Sequence, residues 1–255
     1  MTETTTDEKI VISTETAPSG EKIVERNTVV YETRIESNVI ETIGEKSKTQ
    51  LFAKFGFMKP NAEQIRLVSI DKYYEPYLVV TGRYMIDYYR KSAFTFKVES
   101  KVQEVILTNQ KYTPSKSTDP SLRDCNVIRI QGEERLTIEN KTSLLLDRFG
   151  QEVNLRELPT APSEERPEEI LTAFGVKEIP PNFDLEIIRS RILKRPKDVN
   201  RVVTELFEVN ERAAIYTPRF RAMYTNMRTG ESKAVDFDAI TGQRVQRPCP
   251  LARPF

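Results

Sequence analysis

From Pro76 onward, apolar and polar side chains alternate with a period of two. Leu78, Val80, Gly82, Tyr84, Ile86 and Tyr88 share one face of an extended chain, and Val79, Thr81, Arg83, Met85, Asp87 and Tyr89 share the other. Alternation with one more polar face predicts a half-buried antiparallel strand. Pro76 has no amide proton for a ladder, which places it at the strand's start. The polar triplet Arg90-Lys91-Ser92 predicts a break, followed by a second strand from Ala93 to Glu99 and a third from Val102 to Thr108.

A weaker copy of this pattern returns near the C-terminus. Tyr74-x-Pro76 and Tyr216-x-Pro218 each open an alternating strand that leads into a polar turn and a further strand. The segments ahead also match loosely, Leu67-Val68-x-Ile70 against Leu206-Phe207-x-Val209. Self-similarity of this kind points to an internal duplication.

Ahead of the first copy, Thr28 to Ile35 and Asn38 to Ile43 are β-like, and Lys46 to Phe57 reads as a short helix with Leu51, Phe52 and Phe55 on one face. Tyr112 to Asp124 is rich in Pro, Ser, Thr and Asp and reads as a loop. Strands are expected at Asn126–Ile130, Arg135–Glu139 and Ser143–Leu146, with a turn at Asp147–Gly150 and a return over Gln151–Leu155. Ser163 to Phe174 predicts a helix with Pro167 in its first turn and Gly175 as its stop. Asp184 caps a helix over Leu185–Leu193. The stripe Val199, Val202, Val203, Leu206 and Phe207 predicts another helix opening at Lys197-Asp198. Pro159-Thr160-Ala161-Pro162 reads as a linker. The expected organisation is a disordered tail (1–20), a β-rich domain (21–158), a helix-plus-hairpin domain (159–246) and a Pro/Arg tail (247–255). The fold class is α+β: two antiparallel-sheet units, each backed by helices and related by the internal duplication.

Composition narrows the chemistry. The 255 residues include no histidine and carry a formal net charge of +1. Without imidazole there is no Ser-His-Asp or Cys-His nucleophile and no histidine metal ligand. Nine glycines form neither a G-x-x-x-x-G-K nor a G-x-G-x-x-G phosphate loop. Cys125 and Cys249 are isolated, which implies a reducing cytoplasm. No run reaches the roughly 18 apolar residues of a membrane span, and Met1 to Val11 lacks the basic start and apolar centre of a secretory signal.

Asp236 and Asp238 stand two apart on an expected strand, a spacing open to a hard cation. Asp238-Ala-Ile-Thr-Gly242 has the composition of a turn in which the aspartate holds loop amides and Gly242 takes a positive φ, and no third acidic ligand follows at a binding-loop spacing. Lys233 to Val245, KAVDFDAITGQRV, resembles the closing hairpin of PepSY-type domains, in which a D-A-x-T-G turn joins two strands. That resemblance implies a small helix-backed sheet and a non-catalytic, partner-regulating role.

Two groups suit an interface. Leu185 to Lys233 holds eleven basic residues against six acidic ones, with Tyr216, Phe220 and Tyr224 interleaved. Such a mixture can track a nucleic-acid backbone, although the near-neutral whole chain argues for a solvated face. The tyrosines around residue 73 are amphipathic and suit either a protein interface or a sheet core. The interaction surface expected is Tyr73, Tyr74, Tyr77, Arg189, Arg191, Arg195, Arg219 and Arg221, with no catalytic, cofactor or metal site. The function expected is a cytoplasmic, non-enzymatic protein–protein interaction or scaffold protein, its partner another protein or a second copy. The alternatives are a nucleic-acid or ribosome-associated factor using 189–228, and a histidine-free hydrolase built on carboxylates.

Overall fold

The computed structural model describes residues 19–53, 59–117 and 125–245. Nearly all of both tails, Cys249, part of the Tyr112–Asp124 loop and the end of the Lys46–Phe57 helix fall outside that range. In chain order the elements are β1 (Ser19–Ile23), β2 (Asn27–Val30), α1 (Ser37–Leu51), β3 (Ile65–Val98), β4 (Val105–Leu107), β5 (Gln110–Tyr112), β6 (Ser115–Lys116), β7 (Asn126–Asp147), α2 (Pro167–Ala173), α3 (Phe183–Ile192), β8 (Arg201–Asn226) and β9 (Ser232–Asp238). Helices and sheets are both present. One seven-stranded sheet runs β1-β8-β3-β7-β6, with β2 and β9 also on β8, and β4-β5 forms a separate two-stranded sheet. The large sheet is mixed, because β2 pairs with β8 in parallel (Asn27 with Ala213 through Val30 with Tyr216) while β9 pairs antiparallel.

Three strands are far longer than expected. β3 passes through Arg90-Lys91-Ser92 without turning, and β7 joins three expected strands into one. Apart from Gly132 and Asn140, these breaks lack the Gly, Asn, Asp or Pro chemistry that a tight turn needs. Arg90 instead bonds Glu134 at 2.8 Å and Asp198 at 3.2 Å. At Gly132 a Cβ would stand 3.0 Å from the Phe94 ring, so the glycine admits an aromatic neighbour and does not end the strand.

The expected helix after Lys197 is strand. Val202 and Val203 are β-branched, and Glu205 and Glu208 pair sideways with Tyr84 and Arg83. Conversely, the β-like run Asn38 to Ile43 is the first half of α1, where Ile40, Ile43 and Gly44 recur at helical spacing and face the interior. Pro76 and Pro218 lie inside strands instead of opening them. Pro218 sits where β8 passes from β2 to β9, and its carbonyl accepts the Ala239 amide at 3.0 Å. A residue with no N–H fits where a strand changes partners.

The chain divides into two compact units, 1–22 with 83–140 and 193–208, and 23–82 with 141–192 and 209–255. All three helices and the Pro159–Pro162 segment belong to the second. There α1 covers a core of Ile40, Phe52, Ile65, Phe220, Ala222, Tyr224, Val235, Phe237 and Ala239. Buried Asp184 of α3 does not cap its helix. It accepts two bonds from Arg212 at 2.7 and 2.9 Å, and Arg212 also donates to the Pro181 and Val24 carbonyls. This pair ties α3 to β8 and to the chain following β1. The expected alternation of β3 holds in full, since Leu78, Val80, Gly82, Tyr84, Ile86 and Tyr88 are all buried.

Candidate interaction site

Five of the eight expected surface residues lie on β3 and β8, and four of them come together. The side-chain pairs between these strands run in opposite order, from Thr217–Glu75 through Thr81–Glu211 to Arg83–Glu208. That order brings Tyr73 and Tyr77 beside Arg219 and Arg221. The Arg219 guanidinium donates to the Tyr77 hydroxyl and lies 5.8 Å from its ring centroid. Arg221 lies 5.1 Å from the Tyr73 ring and grips Asp236 through two bonds of 2.7 and 2.8 Å. Arg148 approaches Glu75 at 3.8 Å.

Electrostatics hold this cluster in fixed charge states. Burial, then Asp236, push the Tyr73 phenol above its ordinary range, so it stays neutral. Burial opposes the Arg219 charge, but Tyr77, Glu75 and Tyr73 more than offset it and hold the guanidinium above its usual range. Asp236 is committed to an arginine. Among the described residues no group of three metal-ligating side chains occurs. Arg219 is 7% exposed, and Tyr74 and Tyr77 are also buried, so these belong to the interior of the sheet. Tyr74 stacks edge-on against Phe174, with ring centroids 5.1 Å apart.

The three remaining arginines do not join this cluster. Arg189 is half-buried on α3. Arg191 and Arg195 are exposed and pair with Glu152 at 3.3 Å and Glu205 at 3.6 Å. Further along the basic run, Arg201 and Arg212 pair with Glu133 and Asp184, and Lys233 with Glu231. The expected basic stripe is thus divided among several carboxylates. The Asp238 turn forms as expected: its Oδ1 accepts the Ile240 and Thr241 amides at 2.9 and 2.8 Å, and Gly242 has φ 72°.

The large apolar residues that face outward were not singled out by pattern. In the β4–β5 hairpin Ile106 is 60% exposed and Leu107 40%, and Phe96 near the end of β3 is 50% exposed. Leu107 and Gln110 flank a two-residue turn, Thr108-Asn109, with φ of 47° and 60°. Positive φ at both positions is the primed geometry of a tight hairpin. The signal was present in Asn109 but masked by Thr108, a β-branched residue that rarely adopts it. On the outer face of β3, Arg83 bridges Glu208 at 2.6 Å and Glu139 at 3.7 Å, and Arg135 holds Asp87 through a bidentate contact. Those bonds to Arg135 keep the Asp87 carboxyl below its ordinary range despite opposing burial.

No family model, curated protein or solved structure matches this chain.

Proposed function

We propose that this chain is a cytoplasmic, non-enzymatic protein–protein interaction or scaffold protein. The observation that carries this reading is the β4–β5 hairpin. It is a two-stranded sheet that holds Ile106 and Leu107 out to solvent on a tight turn. Isolated two-stranded ribbons are marginal in water, and apolar side chains on an open strand suit a partner that adds to the sheet. The interior arginines and carboxylates are engaged with one another, which supports a structural role for the Tyr–Arg cluster. The distribution of Arg191, Arg195, Arg201 and Arg212 among carboxylates favours a protein partner over nucleic acid. The neighbouring Glu75 and Thr217, each inside a Tyr-x-Pro motif, support reading β3 and β8 as descendants of one duplicated unit.

The test is affinity capture from the native host with full-length chain and with Ile106→Asp/Leu107→Asp, half of each sample treated with nuclease. A defined protein retained by the first bait, lost with the second and indifferent to nuclease is expected. Retention that nuclease abolishes, or that the hairpin variant leaves intact, contradicts the reading.

A further inference from the structure

Positive charge collects around the β4–β5 hairpin together with its apolar surface. From Phe96 to Lys116 the chain carries four lysines, two glutamates and no arginine. All six charged residues are exposed, and Lys111 pairs with Glu104 at 3.3 Å. Among the described residues Lys97, Lys101 and Lys116 enter no ion pair, which leaves three lysines against Glu99 alone. A surface with one sign of charge in excess suits a partner of the other sign.

Local structure gathers these residues at one end of the unit that holds 83–140. After β3 the chain turns, with the Val102 amide donating to the Glu99 carbonyl at 3.0 Å. The Asn126 side chain donates to the Ser100 carbonyl at 3.3 Å, and Asn126 pairs with Lys116 across β7 and β6. That shared neighbour draws the chain at Lys101 and at Lys116 together, where the hairpin begins and ends. Within the hairpin Ile106 stands opposite Lys111, and Leu107 opposite Gln110. Opposed residues share a face and strand neighbours do not, so Ile106 and Leu107 point to opposite sides of the ribbon. Each face thus offers one exposed aliphatic anchor bordered by polar groups.

The same features argue against phosphate and lipid. Arginine is the residue suited to gripping phosphate with two bonds, and 96–116 has none. Single-stranded nucleic acid stacks on aromatic rings, whereas the hairpin strands expose Ile106 and Leu107. For a membrane, the polar turn Thr108-Asn109 would have to enter the apolar layer ahead of those two side chains, which is costly. A carboxylate is a single point of charge that an ammonium matches well.

We propose that the β4–β5 hairpin docks on an acidic segment of a partner protein, whose apolar side chains cover Ile106 and Leu107 and whose carboxylates meet Lys97, Lys101 and Lys116. This rests on the interaction reading and specifies the chemistry of the partner. Apolar contact supplies the affinity, and charge supplies the choice of partner and the rate of encounter.

The experiment is fluorescence anisotropy of full-length chain with a short labelled peptide alternating glutamate and leucine. Binding that weakens as salt rises is expected. Ile106→Asp/Leu107→Asp should weaken it by about tenfold or more, as loss of an apolar anchor does. The triple variant Lys97→Glu/Lys101→Glu/Lys116→Glu should lose the peptide to a similar degree and gain affinity for a lysine–leucine peptide, an outcome that misfolding would not give. No binding of the glutamate–leucine peptide would overturn the proposal. So would equal binding of glutamate–serine or lysine–leucine peptides by the native chain, or stronger binding of oligo-thymidine or of vesicles containing phosphatidylserine. A captured protein that the hairpin variant loses but the triple lysine variant retains would leave the interaction reading standing and remove the acidic partner.

Discussion

At the residue scale, the closest fit in the core is between Gly44 and Tyr224. A Cβ on Gly44 would stand 2.0 Å from the Tyr224 hydroxyl and 3.2 Å from Cζ, so only glycine lets α1 lie down on β8. Among the described residues the buried Tyr224 hydroxyl has no hydrogen-bond partner. Gly44→Ala is expected to cost about 1–3 kcal/mol by overpacking. Tyr224→Phe should be neutral or stabilising, since it removes an unsatisfied polar group. The double variant should recover part of the loss, which a urea-unfolding cycle would measure as a coupling between the two positions. The same phenol gives a pH dependence. Burial, then Glu45 and Glu41, push Tyr224 from 10.0 up to about 12. Below pH 10 the phenol is protonated in both states and its full contribution is present. As pH rises from 10 towards 12 the unfolded chain ionises first, so stability falls. Tyr73 and Tyr84 are shifted in the same direction and add to the loss. Urea midpoints above pH 10 should decline less steeply in Tyr224→Phe than in the native chain; equal slopes would refute that assignment. The face occupied by each residue from Leu78 to Tyr88 was legible, because period-two burial is a local property. The Gly44–Tyr224 contact was not, because it joins residues 180 positions apart in the chain.

At the element scale, the sequence misled where two periods overlap. Val199, Val202, Val203, Leu206 and Phe207 fit a helical stripe, but β8 is held by cross-strand partners that lie more than a hundred residues away in the chain. Apparent breaks in β3 and β7 failed for a related reason. Polar triplets signal turns only when their residues have turn chemistry, and charged residues such as Arg90 can be absorbed by lateral ion pairs. Turns that did carry that chemistry, Asp147–Gly150 and Asp238–Gly242, formed where expected. Two elements give direct tests. Asp184→Asn leaves Arg212 charged and buried at the start of α3, and a loss of about 3–5 kcal/mol is expected in equilibrium unfolding. A change below 1 kcal/mol, by the scale of exposed pairs, would remove the pair from the account of how α3 is held. In the β4–β5 turn, Thr108→Asn with Asn109→Gly supplies residues that accept positive φ. Relieving about 1 kcal/mol of local strain should slow amide exchange of the hairpin by roughly fivefold. Unchanged exchange would show that Thr108 is not strained.

At the scale of the whole molecule, no described helix is long and apolar enough to cross a membrane. Of the residues that composition pointed to, Tyr74, Tyr77 and Arg219 are buried and Arg191 and Arg195 are exposed. In the buried three, aromatic and basic character serves the inside of a sheet, a distinction that residue type cannot make because tyrosine and arginine suit both settings.

Affinity capture with full-length chain and with Ile106→Asp/Leu107→Asp tests the interaction reading most directly. The account predicts a defined protein retained by the first bait, lost with the second and indifferent to nuclease. Retention that the hairpin variant leaves intact, or that nuclease abolishes, would contradict it.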